Sequence, residues 1–388
     1  MGQHLTAREI LEILVAFPTV SSASNLALID WVEDYLLGHG VISTRVYDAS
    51  GEKASLYANV GPQVEGGVVL SGHTDVVPVE GQAWDTDPFS VTEKDGRLYG
   101  RGTCDMKGFD AIALAAVPQA LAAGVKRPLQ IALSYDEEVG CLGAPDMIDQ
   151  MALHLPRARA AIIGEPSMMK AVTAHKGSTG FDTHLRGFEV HSSIMHTGVN
   201  AIMYGAKLIE WANDMNAANR ANKPVEIAAL FDPPYTTVHV GVISGGTAHN
   251  ITAKDCHLSL DFRAVPSESL DDWCDAYRAK VAEVAAEMQA INPDAGIDLV
   301  QYFYIPGLKP ETDGVAEGLA RLITGDNGQH TVSYGTEAGQ FQERGYSAVV
   351  CGPGNIEQAH QPNEFISLEQ FNAGQRFVAD LINILCKD

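Results

Sequence analysis

Cysteine is sparse and scattered, with six thiols in 388 residues at Cys104, Cys141, Cys256, Cys274, Cys351 and Cys386. None forms a CxxC pair and none stands at zinc-finger spacing from a histidine, which excludes a disulfide scaffold, a structural zinc knot and a thioredoxin-like redox motif. A long chain with scattered thiols is expected in a reducing compartment, the cytoplasm. Basic residues are short as well, 26 Lys and Arg against 49 Asp and Glu, for a formal net charge of −23. Such a surface repels phosphate backbones and anionic lipid, so nucleic acid and membrane are not expected partners. No apolar run is long enough to span a bilayer, since the most apolar stretch, 111–125, is interrupted by Pro118 and Gln119. Residues 1–6 lack the basic start of a signal peptide, and Arg8, Glu9 and Glu12 break up the next segment. The opening Met1-Gly2-Gln3-His4-Leu5-Thr6 fits a loose myristoylation pattern. A capping box explains more: Thr6 and Glu9 start an amphipathic helix through Ile10, Leu11, Leu14 and Val15. Low-complexity tracts and short-period repeats are absent too.

What is present is an ordinary globular balance, 46% hydrophobic and 19% charged, in a chain long enough for more than one domain. The first part alternates helical patterns with short apolar runs at 67–71, 129–134 and 160–164, and another run comes late at 348–351. Continuous apolar strands between helices predict an α/β fold, a mostly parallel sheet with helices on both faces. The middle changes character. Segments 181–185, 237–243, 257–262 and 297–304 read as strands, and 200–219 and 270–290 as long helices. The order βαββαβ is that of a ferredoxin-like module. The expected organisation is a first catalytic part at 1–178, an inserted module at 179–304 and a second catalytic part at 305–388.

Acids and histidines fall where those apolar runs end. Run 67–71 leads into Gly72-His73-Thr74-Asp75, and 129–134 into Tyr135-Asp136-Glu137-Glu138. Run 160–164 ends at Glu165-Pro166, and 348–351 leads through Gly352-Pro353-Gly354 to His360. A glycine-flanked turn contributes Asp105. Sites in open α/β sheets form beyond the carboxyl ends of the strands, so each of these residues is a candidate metal ligand at one edge. Alone, a His-x-Asp is more often a hydrogen-bonded pair, and Glu-Glu a solvated face. Together, mixed His and carboxylate donors suit Zn²⁺, with Co²⁺ or Mn²⁺ as substitutes. In an extended segment His73 and Asp75 point the same way, so Asp75 can accept the second ring N–H of His73 and fix its tautomer. Adjacent Glu137 and Glu138 point apart, so one can bind metal while the other serves as base.

These segments resemble the M20 metallopeptidase family of amidohydrolases. The matching motifs are Ser71-Gly72-His73-Thr74-Asp75-Val76-Val77-Pro78, 100–108, Asp136-Glu137-Glu138-Val139-Gly140 and Gly164-Glu165-Pro166. Gly245-Gly246-Thr247-Ala248-His249-Asn250 and 352–360 extend the likeness over nearly the whole chain. The resemblance implies two metals per chain, His73 and Glu165 holding one, Glu138 and His360 the other, and Asp105 bridging. It implies Glu137 as general base and acid, Asp75 as support for His73, and a cis peptide after Asp105. The inserted module becomes a lid and dimerisation domain whose histidine, His191 rather than the nearby His196, reaches the active site of the second subunit of a homodimer. Asn250 and Arg263 match positions that bind the substrate carboxylate, and Thr336 adds a hydrogen bond; without the family, Arg263 reads as a surface ion pair.

Within the family, the segments 100–109, 335–341 and 352–364 resemble the branch that removes an acetyl group from the α-nitrogen of ornithine in arginine biosynthesis. His175-Lys176-Gly177-Ser178 stands where the desuccinylating branch carries Arg-Arg-Gly-Ser, which argues for a small neutral acyl group. The expected substrate is therefore a small N-acyl amino acid. An aminoacylase, a dipeptidase or a desuccinylase are neighbouring readings, and a catalytically inactive amino-acid-binding homologue is a reading from another class. That last reading predicts damage among the ligands or Glu137, and none is visible.

Overall fold

The structure, a computed structural model, describes residues 4–387. Met1, Gly2 and Gln3 of the myristoylation-like pattern, and Asp388, lie outside the described residues. From Thr6 the chain adopts the capping box. The Thr6 hydroxyl accepts the Glu9 N–H, the Glu9 carboxylate accepts the Thr6 N–H, and helix Ala7–Val15 buries Ile10, Leu11, Leu14 and Val15.

The chain divides into two compact units, one of Met1–Ala174, Pro310–His330 and Thr336–Asp388, the other of His175–Lys309 and Thr331–Gly335. In the first, the apolar runs form the centre of an eight-stranded sheet. Its order is Ser43–Tyr47, Ala54–Val60, Leu129–Ser134, Val68–His73, Ala160–Pro166, Ala348–Gly352, Val172–His175 and His330–Val332. The four strands from Leu129–Ser134 to Ala348–Gly352 pair in parallel, and Ala54–Val60 and Val172–His175 pair antiparallel against the outer two. All four are buried along their whole length, which is why they read as unbroken apolar runs and do not alternate. Leu70 and Ile162 share a core with helices Ala7–Val15, Lys107–Ala123 and Leu368–Leu385. Their neighbours Val69 and Ile163 are as buried but point to the opposite face, where helices Ala144–His154 and Ala338–Glu343 pack. Helices therefore cover both faces.

The second unit is an antiparallel sheet in the order Thr237–Gly245, Asp255–Ala264, Gly177–Arg186 and Gly296–Ile305. With helices Ala201–Ala221 and Leu270–Ile291 it has the βαββαβ order. Strand Asp255–Ala264 alternates cleanly, burying Cys256, Leu258, Leu260 and Phe262 against Phe181 and Tyr277. The first strand pairs from Gly177 onward, just past the division of units between Ala174 and His175. Segment Thr331–Gly335 belongs with this unit because Thr331 and Ser333 donate to the carbonyls of Leu230 and Asp232.

A small third sheet joins Thr92–Lys94, Arg97–Tyr99 and Phe365–Ser367. Its pairing of Phe365 with Tyr99 sets Glu364 beside the turn that carries Asp105. Among the described residues no helix is long and apolar enough to cross a membrane.

Candidate metal centre

Parallel pairing brings the carboxyl ends of the central strands to one edge, and the ligand candidates gather there. His73 ends strand Val68–His73, Glu137 and Glu138 come after strand Leu129–Ser134, and Glu165 lies near the end of Ala160–Pro166. Asp105 lies just before helix Lys107–Ala123, and the Asp105–Met106 peptide bond is cis. His360 comes from the loop after Ala348–Gly352, with a left-handed backbone at φ 63°.

The two oxygens of Asp105 face different histidines. Oδ1 lies 3.1 Å from His73 Nε2, and Oδ2 lies 3.4 Å from His360 Nε2. Glu165 Oε1 is 3.8 Å from His73 Nε2, and Glu138 Oε2 is 2.8 Å from His360 Nε2. Glu137 Oε2 lies 4.0 Å from His73 Nε2, so distance alone does not separate a base from a ligand at this position. Two sets, His73 with Glu137 and Glu165, and His73 with Asp105 and Glu138, bring their donor atoms within 4.8 Å of one another. Glu138 Oε1 and Glu165 Oε1 are buried with no hydrogen-bond partner. A buried oxygen of this kind is costly unless something positive meets it. Nitrogen and carboxylate donors converging on unpartnered oxygens fit a divalent metal.

Asp75 sits differently from the sequence expectation. His73 Nδ1 is 2.9 Å from the backbone carbonyl of Asp75, and its carboxylate is farther, at 3.6 Å. That carboxylate instead accepts the Ser21 hydroxyl at 2.6 Å and the backbone N–H groups of Glu137 and Glu138 at 3.1 and 3.3 Å. The side chain thus fixes the Glu137–Glu138 turn while its main chain fixes the His73 ring.

Crowding of like charges governs the electrostatics. Burial, reinforced by Glu138, Asp105 and Glu337 and opposed by His73, pushes Glu137 up to about 8. Burial and the neighbouring Asp105 push Glu138 up to about 7, and burial with Asp105 and Glu137 carries Glu165 well above the usual range. Hydrogen bonding to Asp105 and Glu138 lifts His360 to about 10. Burial works against a charged His73, yet Asp105 and Asp75 overcome it and hold its pKa well above the ordinary value. For Asp105 the two histidines outweigh burial and hold it low. The site is built around more negative charge than two histidines neutralise.

The remaining candidates have other surroundings. Thr336 is buried, and its hydroxyl accepts the Ala338 N–H at the start of helix Ala338–Glu343. In the second unit His191 is exposed and precedes the short 3-10 turn Ser192–Thr197, where its Nδ1 accepts the Ser193 N–H. Asn250 is tied to the same turn, its carbonyl accepting the Ser192 N–H. Arg263 lies on strand Asp255–Ala264 with its Nε 3.3 Å from Asp261 Oδ2. His196 lies within the 3-10 turn and is exposed.

Several residues at the centre carry no sequence signal of their own. Ser21 binds Asp75, and the Cys141 thiol donates to Glu137 Oε1 at 3.2 Å. Glu337 is buried beneath the site, accepting the hydroxyls of Ser71 and Ser134, and burial raises it to about 7. It lies beside Thr336 in the 335–341 motif, the one sequence signal that marks it.

Histidines and carboxylates clustered at the carboxyl edge of an α/β sheet are what a metal-dependent hydrolase requires. The sequence profile of peptidase family M20/M25/M40 matches residues 69–384, and the chain belongs to that family. It is 34% identical over 391 residues to the acetylornithine deacetylase of Pasteurella multocida (strain Pm70), covering 97% of each chain. The acetylornithine deacetylase of Proteus mirabilis (strain HI4320) is 35% identical over 389 residues, covering 97% of this chain and 96% of the relative. In structure it is similar to an M20 family metallo-carboxypeptidase from Sulfolobus solfataricus, with a TM-score of 0.79 at 18% identity over 98% of this chain and 99% of that one. At that identity the likeness shows the fold.

Proposed function

We propose that the protein hydrolyses Nα-acetyl-L-ornithine to L-ornithine and acetate, the reaction that frees ornithine for arginine synthesis, at a pair of Zn²⁺ ions. The observation that carries the chemistry is Asp105 between His73 and His360, one carboxylate oxygen turned toward each. His73 and Glu165 would hold one ion, Glu138 and His360 the other, and Asp105 both, with Co²⁺ or Mn²⁺ able to substitute. Bound there, the ions supply Lewis acidity and bring the pKa of water toward neutrality.

Glu137 takes the proton of the attacking water and returns it to the departing amine nitrogen. Nearby dications would draw its carboxyl down from about 8 into the range of a working base. Asp75 keeps the Glu137–Glu138 turn and the His73 ring in place. The partner subunit's His191 would steady the oxyanion, which makes the homodimer the active form. Arg263 and Asn250 bind the substrate carboxylate and Thr336 adds a hydrogen bond, Arg263 giving orientation as well as charge. The full-length likeness to acetylornithine deacetylases supports the choice of substrate. The six free cysteines suit the cytoplasm.

The test is hydrolysis with Zn²⁺ restored, comparing Nα-acetyl-ornithine, Nα-acetyl-methionine and N-succinyl-diaminopimelate. The highest kcat/KM is expected on Nα-acetyl-ornithine. Preference for acetyl-methionine would make the enzyme an aminoacylase, and preference for the succinyl substrate a desuccinylase.

A further inference from the structure

Three side chains outside the ligand set connect the backbone of Asp105 to that of His360. Glu364 Oε1 accepts the N–H groups of Cys104 and Asp105 at 2.9 and 3.1 Å, and its Oε2 accepts Arg101 Nη1 at 2.6 Å. Arg101 Nη2 donates to Gln82 Oε1 at 2.6 Å, and Gln82 Nε2 donates to the His360 carbonyl at 2.8 Å. Arg101 Nη1 also reaches the Gln361 carbonyl at 3.3 Å, and the Trp84 ring lies under the guanidinium at 5.1 Å. Arg101 and Glu364 are each only 1% exposed, so this is a desolvated pair; Glu364 accepts from the segment that carries Asp105, and Arg101 donates to the Gln361 carbonyl beside His360 and, at 3.5 Å, to that of Pro78.

The two sides of the centre differ in how they are held. His73 and Glu165 are strand residues, fixed by the sheet. His360 lies on a loop with its side chain 53% exposed and its ring turned to Asp105 and Glu138, neither of them in a strand or helix. Its carbonyl is anchored by Gln82, and Gln82 by Arg101.

We infer that Arg101, Glu364 and Gln82 form a positioning clamp that aligns His360 with Asp105, and that its Gln82 arm, which reaches His360 and not Asp105, controls retention of the metal on the His360 side without setting the affinity on the His73 side. The inference rests on the two-metal reading above. Contacts that orient ligands from behind commonly change metal affinity by about 10–100-fold, whereas an ion pair that only stabilised the fold would leave the two sites' relative affinities alone.

Gln82 is half-buried and uncharged, so its substitution tests the clamp while leaving the Arg101–Glu364 pair intact. Gln82→Ala removes its contacts with Arg101, His360 and the Trp84 indole N–H; Gln82→Glu keeps an acceptor for Arg101 and Trp84 and removes the donor to His360. Each protein is stripped with chelator, titrated with Zn²⁺ at buffered free concentrations, and its bound metal counted by elemental mass spectrometry. Melting temperatures of the stripped proteins are measured in parallel. Wild type is expected to take two Zn²⁺ per chain. Both variants should bind the first within threefold of wild type and the second at least tenfold more weakly, with melting temperatures close to wild type. Unchanged binding, or equal weakening of both steps, would overturn the clamp while leaving two metals in wild type. A wild-type chain that saturates at one Zn²⁺ would overturn the two-metal reading, and the clamp's selectivity with it.

Discussion

The carboxylate of Asp75 accepts the backbone N–H of Glu137 at 3.1 Å, which ties the end of one central strand to the turn at the end of its neighbour. Strands Val68–His73 and Leu129–Ser134 lie side by side in register, His73 opposite Ser134, so the residues just beyond them meet. One residue therefore fixes the base candidate and its metal-binding neighbour through its side chain and the His73 ring through its backbone carbonyl.

Asp75→Asn keeps the shape of that side chain but loses its charge and one acceptor. The Glu137–Glu138 turn then faces an amide that can satisfy only part of what the carboxylate did. Turnover is expected to fall by about 10–100-fold with a smaller change in KM, as for other groups that orient a metal site from behind. Steady-state kinetics of the zinc-loaded variant check this, and a kcat within threefold of wild type would remove Asp75 from the machinery.

Glu137→Ala separates base from ligand, which distance alone does not. As the base, its loss should lower kcat by about 10²–10⁴-fold while two metals remain bound. Elemental analysis alongside kinetics decides the matter. Loss of one metal would instead make Glu137 a ligand on the His73 side, where its Oε2 lies 4.0 Å from the ring nitrogen.

Some of this was readable from the sequence and some was not, for a physical reason. Strands buried on both faces appear as short apolar runs, and the residues just past them reach the carboxyl edge, so His73, Glu138 and Glu165 were visible as a set. Asp105 and His360 also fell in segments with quotable motifs. The supports were not visible. Ser21 meets Asp75 across 54 residues, Ser71 meets Glu337 across 266, and Arg101 meets Glu364 across 263. Such pairs have no period and no local spacing; they exist only once the sheet order is known. The three-stranded sheet that delivers Glu364 escaped for the same reason, its strands being only three residues each.

Lys107 lies in the 100–108 motif beside Asp105, and its contacts are those of a cap. Its ammonium is buried and donates to the carbonyls of Leu14 and Phe17, at and just past the end of helix Ala7–Val15. Burial pushes its pKa down to about 7. Lys107→Met should destabilise the fold by about 1–3 kcal/mol through two lost hydrogen bonds. A lysine depressed in the folded state costs stability as pH falls from its unfolded value near ~10.4 toward 7. The deficit of the variant should therefore grow as pH rises from 7 to 10. Urea melts across that range measure it, and a deficit that shrinks with rising pH would show that the folded protein does not hold this amine with a lowered pKa.

Removing metal should invert the pH dependence of stability. Without cations, Glu137, Glu138 and His360 hold protons up to about 8, 7 and 10, and Glu165 and His73 are raised as well. The unfolded chain releases those protons at ordinary values near ~4.3 for Glu and ~6.5 for His. A folded state that binds more protons than the unfolded state loses stability as pH rises. Lys107 and Lys176, both lowered by burial, act in the opposite direction, and the raised carboxyls of Asp110, Glu337 and Glu364 add to the loss. Chelated protein should therefore melt at steadily lower temperature from pH 6 to 9. With Zn²⁺ present the ligands must be deprotonated to bind, so affinity, and the stability it adds, should increase over the same range. The two melting-temperature curves should diverge toward high pH. A chelated protein that grows more stable as pH rises would mean that the crowded carboxylates do not hold raised pKa values in the metal-free fold, and the charge argument for the centre would fail with it.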